Sequence, residues 1–277
     1  MGESYLMNML NKEDYEEPRC LLDMDRSADR PAFSVPLGRV IEKLDEYLGR
    51  NDWPGAERHL KYWLAEAKAG RDRRGELAIR NEMMGYYRKS SREEQAREAM
   101  SEALRLLDEL GMTENIIAGT TYVNAATVCK SFGHADEALP WFEKARDLYE
   151  KELPESDGRL GGLYNNMALA LADLKRYPEA ESYYRKALET MKKVPGSELE
   201  QAITWLNLAD LIYEQDENAD VNEMLETAEA LLKTESLPRN GYYAFVCKSC
   251  APGFDFYGWF MTAKELREAA EKIYAGT

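Results

Sequence analysis

From Ala96 onward the chain repeats one arrangement of apolar positions against a polar background. A short residue is followed four places later by a bulky one and three places after that by another short one. The copies are Ala96, Met100 and Ala103 in EEQAREAMSEALRLL, Ala138, Phe142 and Ala145 in DEALPWFEKARDLY, Ala180, Tyr184 and Ala187 in PEAESYYRKALE, and Val221, Leu225 and Ala228 in ADVNEMLETAEALL. Their first members, Ala96, Ala138, Ala180 and Val221, are almost evenly spaced, and a fainter copy, Ala56, Leu60 and Trp63, lies about one such interval before the first. Offsets of four and seven share one helix face, so each copy predicts an amphipathic helix.

A second helix precedes each of the later copies and carries its own marker. Tyr122, Tyr164 and Trp205 are followed four residues on by Ala126, Ala168 and Ala209, and then by Cys129, Leu171 and Ile212. The two helices together predict an antiparallel hairpin. Its small residues let the pair approach closely, and its bulky ones fill the space to the next hairpin.

On these residues the chain resembles a tetratricopeptide repeat protein. A period near 42 rather than 34 is similar to the kinesin-light-chain type of repeat, in which both helices are longer by about a turn. The likeness spans about residues 37–233 and is strongest at 118–192, where Gly133 and Tyr177 keep the glycine and tyrosine of the family's turn. The resemblance implies an all-α fold, a right-handed superhelical solenoid of antiparallel hairpins, with five hairpins over residues 37–237. Residues 1–36, with EDYEEP and three prolines, read as an extended arm. Residues 238–277 are aromatic-rich, are expected to break at Pro252 and Gly253, and to be helical again from about Phe256. They read as capping helices, because a solenoid must close its terminal apolar edge. This piece also looks like that of bacterial repeat proteins, a likeness that brings no activity with it.

Charge narrows the partners. Acidic residues outnumber basic ones 51 to 36, a net charge of −15, which repels nucleic acid phosphates and anionic headgroups. No nucleic acid or membrane partner is therefore expected. No run approaches the roughly 18 apolar residues of a membrane span, and MGESYLMNMLNKEDYEEP lacks the n-region and h-region of an export signal. Four cysteines in 277 residues make no disulfide framework, so the expectation is a reduced, cytoplasmic protein.

In the family, the first helix of each hairpin lines a concave groove that holds an extended peptide or partner segment. Two residues after each marker aromatic stands an asparagine: Asn124, Asn166 and Asn207. Asparagine is a modest helix former, and its amide offers both donor and acceptor to an extended backbone. By resemblance these match the family's groove asparagines. The alternative is that each bonds a neighbouring helix and holds the hairpins in register. Flanking groove positions include Asn81 and Asn165 one residue before the ladder, Thr127 and Asp210 three after it, and Arg88 and Lys130 six after it. The early copies are more basic, Arg71, Arg73, Arg74 and Arg80 add to them, and an acidic or carboxylate end of a ligand is expected near Arg88 and Lys130. The family's two-carboxylate clamp is absent, since Asn81, Gly85, Asn165 and Leu169 fill its positions. The acidic arm, residues 1–30, is a further candidate to pack in or across the groove of its own or a neighbouring molecule.

Little points to an enzyme. There is no phosphate loop, GxSxG or HExxH, and two histidines, His59 and His134, make no triad. CKSC, Cys247 to Cys250, has metal or redox spacing but lacks further ligands and a βαβ context, so both thiols are expected to pack as small buried hydrophobes. The expected function is a non-catalytic scaffold for a protein or peptide, without a cofactor. A peptide-sensing regulator is the alternative, and a metal or redox protein centred on Cys247 and Cys250 a second. A homodimer through terminal helices stays open.

Overall fold

A computed structural model describes residues 31–276; the proposed packing of the arm into a groove, and Cys20, lie outside them. The described residues form twelve α-helices and no strand, divided between two compact units at Gly111 and Met112. In the first unit α1 (Leu37–Gly49) pairs with α2 (Trp53–Ala69), and α3 (Arg73–Lys89) with α4 (Glu93–Glu109). In the second, α5 (Ile116–Ser131) pairs with α6 (Ala135–Glu152), α7 (Gly158–Asp173) with α8 (Tyr177–Met191), and α9 (Glu198–Gln215) with α10 (Asn222–Leu232). A last hairpin joins α11 (Gly241–Phe256) to α12 (Phe260–Ala275).

The repeated apolar positions are where the hairpins close. Ala56, Ala96, Ala138 and Ala180 on the second helices, and Ala126, Ala168 and Ala209 on the first, are all fully buried. Trp63, Phe142, Tyr184 and Leu225 fill the space between them at 1% exposure or less. Gly119 and Gly161 mark close approaches between paired helices. A Cβ at Gly119 would meet the Tyr149 ring at 2.3 Å, and one at Gly161 would meet the Met191 side chain at 2.6 Å.

The loops repeat as regularly as the helices. The turn between paired helices carries a left-handed residue at Asn51, Ser91, Gly133, Lys175 and Gly258, with φ between 55° and 86°. Side-chain oxygens start several helices: Asp52 accepts from the Gly55 amide, Asp72 from those of Gly75 and Val35, Asn115 from Ile117, and Asn240 from Tyr243. The turn from α9 to α10 departs from this pattern, with an extended Asp216 at the helix end, and α10 is the shortest helix described.

The sequence expectation of a break at Pro252 and Gly253 is corrected. α11 runs through both to Phe256, and the reversal comes at Gly258, φ 82°. Pro252 lies on the exposed side of the helix, where the missing amide costs one hydrogen bond. The opposite face buries Val246, Cys247, Cys250, Ala251 and Phe254, and burial at about 1.5–3 kcal/mol per large side chain outweighs that loss. Leu199, Leu206, Leu225, Leu232, Val246, Phe254 and Leu266 share one core, so the last hairpin is built onto α9 and α10.

Candidate functional site

In the second unit the first helices lie side by side, α5 against α7, α7 against α9 and α9 against α11. Their polar positions meet across these junctions. The Asn207 Nδ2 donates to Asn165 Oδ1 at 3.1 Å, linking α9 to α7. Lys130 Nζ lies 3.6 Å from Asp173 Oδ2, linking α5 to α7. Lys175, in the turn after α7, pairs with Glu214 of α9, and Tyr177 donates to the same carboxylate at 3.1 Å. Tyr242 of α11 donates to Glu200 at 2.8 Å, and Tyr257, just past α11, donates to Asp210 at 2.8 Å.

The asparagine ladder therefore divides. Asn165 and Asn207 are joined by one hydrogen bond that links α7 to α9. The Asn166 side chain, half-buried, makes no hydrogen bond to a described residue, so its amide has a donor and an acceptor unused there. Asn124 is equally half-buried at the matching place on α5. The Thr127 hydroxyl is turned back onto the Val123 carbonyl at 2.6 Å, and the Asn81 amide onto that of Leu77 at 3.0 Å. In the first unit Arg88 is half-buried, and burial lowers its guanidinium below the usual range. Arg80 is not a groove residue: it is buried, with its guanidinium 3.3 Å from Glu76 and 3.6 Å from Glu102, in a cleft between α2 and α4. Arg73 is likewise matched, by Glu109.

The sequence reading missed two rungs. One repeat before Asn124 stands Glu82 on α3, and one repeat after Asn207 stands Ser249 on α11. The period was enough to find both, but neither is an asparagine. Burial, with Asp45 adding to it, raises the Glu82 carboxyl, while Ser249 Oγ donates to the Phe245 carbonyl at 2.9 Å. Also missed was the aromatic end of the row. Tyr242, Phe245 and Phe256 share the exposed side of α11 with Ser249 and Pro252, and Phe256 is 64% exposed. Tyr213, Phe256 and Tyr257 meet edge to face, with centroids 5.0–5.6 Å apart.

Cys129, Cys247 and Cys250 are buried thiols outside any disulfide among the described residues, and burial pushes the Cys250 thiol up to about 12. A thiol so placed is a poor nucleophile and metal ligand. Among the described residues no group of three or more histidine, cysteine, aspartate or glutamate side chains is arranged to hold a metal. His59 is buried, its Nε2 donating to the Val40 carbonyl at 2.9 Å, and His134 sits at the start of α6. No helix of the described residues is long and apolar enough to cross a membrane.

Repeated helical hairpins with polar first-helix faces define an all-α repeat superhelix of the helix-hairpin class. The tetratricopeptide repeat family model matches residues 76–151 and 160–234, more than half of the chain, and the protein belongs to that family. The matched stretches stop before α11. Among solved structures, the kinesin light chain TPR-like repeats of Podosopora anserina align at 16% identity and a TM-score of 0.51, covering 72% of this chain and 95% of that one. The apo form of RapI aligns at 13% identity and a TM-score of 0.55, covering 86% and 97%. At such identities the likeness is one of fold. No curated protein matches the chain.

Proposed function

We propose that the protein is a non-catalytic scaffold that binds an extended peptide, or an extended segment of a partner protein, along the exposed faces of α5, α7, α9 and α11. The observation that carries this reading is the half-buried Asn166 amide, open between Asn124 on one side and the pinned Asn165–Asn207 pair on the other. An amide held on a rigid helix can pair with a peptide backbone without reading its side chains, and affinity then comes from main-chain hydrogen bonds. Family membership supports the same use of the first helices. The free thiols fit a reducing cytoplasm.

The test is binding of the full chain to a mixed decapeptide library followed by fluorescence anisotropy. Asn166→Ala should weaken retained peptides about tenfold, the scale of one lost buried hydrogen bond, with melting temperature nearly unchanged. Asn207→Ala should instead lower stability by about 1 kcal/mol, since it cuts the link to Asn165. Equal peptide affinity for wild type and Asn166→Ala would count against the groove as the binding site.

A further inference from the structure

Two acids along this row differ from the others. Asp173 is matched by Lys130, and Glu214 by Lys175, whereas Glu200 has the Tyr242 hydroxyl, Asp210 the Tyr257 hydroxyl, and neither a cation among the described residues. Of the two, Asp210 is the one beside the three-ring cluster. Tyr257 lies 5.6 Å from Tyr213 and 5.0 Å from Phe256, the ring planes near perpendicular, and Phe256 stays two-thirds exposed. The two tyrosines cover only part of that ring, which leaves apolar surface for a further side chain.

We propose that Asp210, Tyr213, Phe256 and Tyr257 form a subsite for a basic side chain, lysine or arginine, of the bound segment. The proposal rests on the peptide-binding reading above and adds the chemistry of the ligand. Each candidate occupant meets a different balance here. An anionic side chain would face Asp210 directly, in a chain of net charge −15. An uncharged apolar side chain would cover the rings but strip water from a carboxylate left without a counter-charge. A basic side chain satisfies both parts: its head pairs with the carboxylate, and its charge or its methylene stem lies on the ring faces. Asp210 is exposed, and a segment lying over it and the rings would displace water there, so the ion pair would count for more than in open water. The Tyr257 hydroxyl orients that carboxylate by the 2.8 Å hydrogen bond and leaves its second oxygen for the ligand.

The experiment uses the full chain and three acetylated, amidated decapeptide pools. One central position is fixed as lysine, as norleucine or as glutamate, and the others vary over alanine, serine, leucine and phenylalanine. Wild type should bind the lysine pool at least about tenfold more tightly than the norleucine pool, and the glutamate pool most weakly. Asp210→Asn should bring the lysine and norleucine pools close to equal affinity. Phe256→Ala, at an exposed position where folding is not at stake, should reduce the lysine preference in the same direction. Asn166→Ala should weaken all pools alike and leave the preference intact. Equal binding of lysine and norleucine pools by wild type, or a lysine preference that survives Asp210→Asn, would overturn the subsite while leaving peptide binding standing. Failure of every pool to bind would overturn the peptide-binding reading and the subsite with it.

Discussion

At the scale of single residues, the same type of side chain at the same repeat position does different work, and its neighbours decide which. Asn166 and Asn207 stand at the same repeat position, yet Asn207 is bonded to Asn165 and the Asn166 side chain makes no bond to a described residue. Periodicity placed both on the first helix, but only the packing of α7 against α9 shows which of them is bonded across the two helices. Lys130 is a similar case: its charge was legible, while its pairing with Asp173 was not, because the partner lies on the next repeat. Glu82 offers a test by pH. Burial and Asp45 raise its carboxyl in the folded state, so above that folded value the ionised form costs stability. Glu82→Gln should raise the melting temperature at neutral pH. The gain should shrink as pH falls through the folded carboxyl value and vanish below the unfolded one, where wild type is neutral in both states. A pH series of thermal melts checks this, and a gain independent of pH would exclude the electrostatic cause.

At the scale of elements, the helices follow from their apolar periods, and the turns from a left-handed residue at a fixed place after the first helix. Gly133 and Gly258 suit that conformation, whereas Asn51, Ser91 and Lys175 adopt it because the packed helices on either side leave no other path. The same dominance of packing over local preference explains α11. Read locally, Pro252 and Gly253 end a helix; in the fold, the buried face of Val246, Cys247, Cys250 and Phe254 carries it on to Phe256. Pro252→Ala should restore the missing main-chain hydrogen bond to the Lys248 carbonyl and raise stability by about 1–3 kcal/mol. Chemical denaturation of the two proteins measures the difference, and a destabilised variant would show that the proline ring itself contributes to packing.

At the scale of the whole molecule, stability is cumulative within each unit, since successive hairpins there pack against one another. The last hairpin covers Leu199, Leu206, Leu225 and Leu232 and leaves an outer face of charged residues on α12. Removing residues 238–277 should lower stability by several kcal/mol and expose an apolar edge. Thermal melts together with binding of a hydrophobic dye read both effects; an unchanged melting temperature would mean that α9 and α10 close the stack by themselves. By itself the sequence determined the helical class, the period of the repeat, the pairing of helices into hairpins and the row of first-helix positions, because these depend on apolar spacing along a short stretch of chain. Only the tertiary structure decided which polar groups on that row pair with one another, that α11 continues through its proline, and that Asp210 sits beside Tyr213, Phe256 and Tyr257. Those outcomes depend on side chains from successive repeats meeting across packed helices, a separation along the chain over which no local pattern fixes a contact.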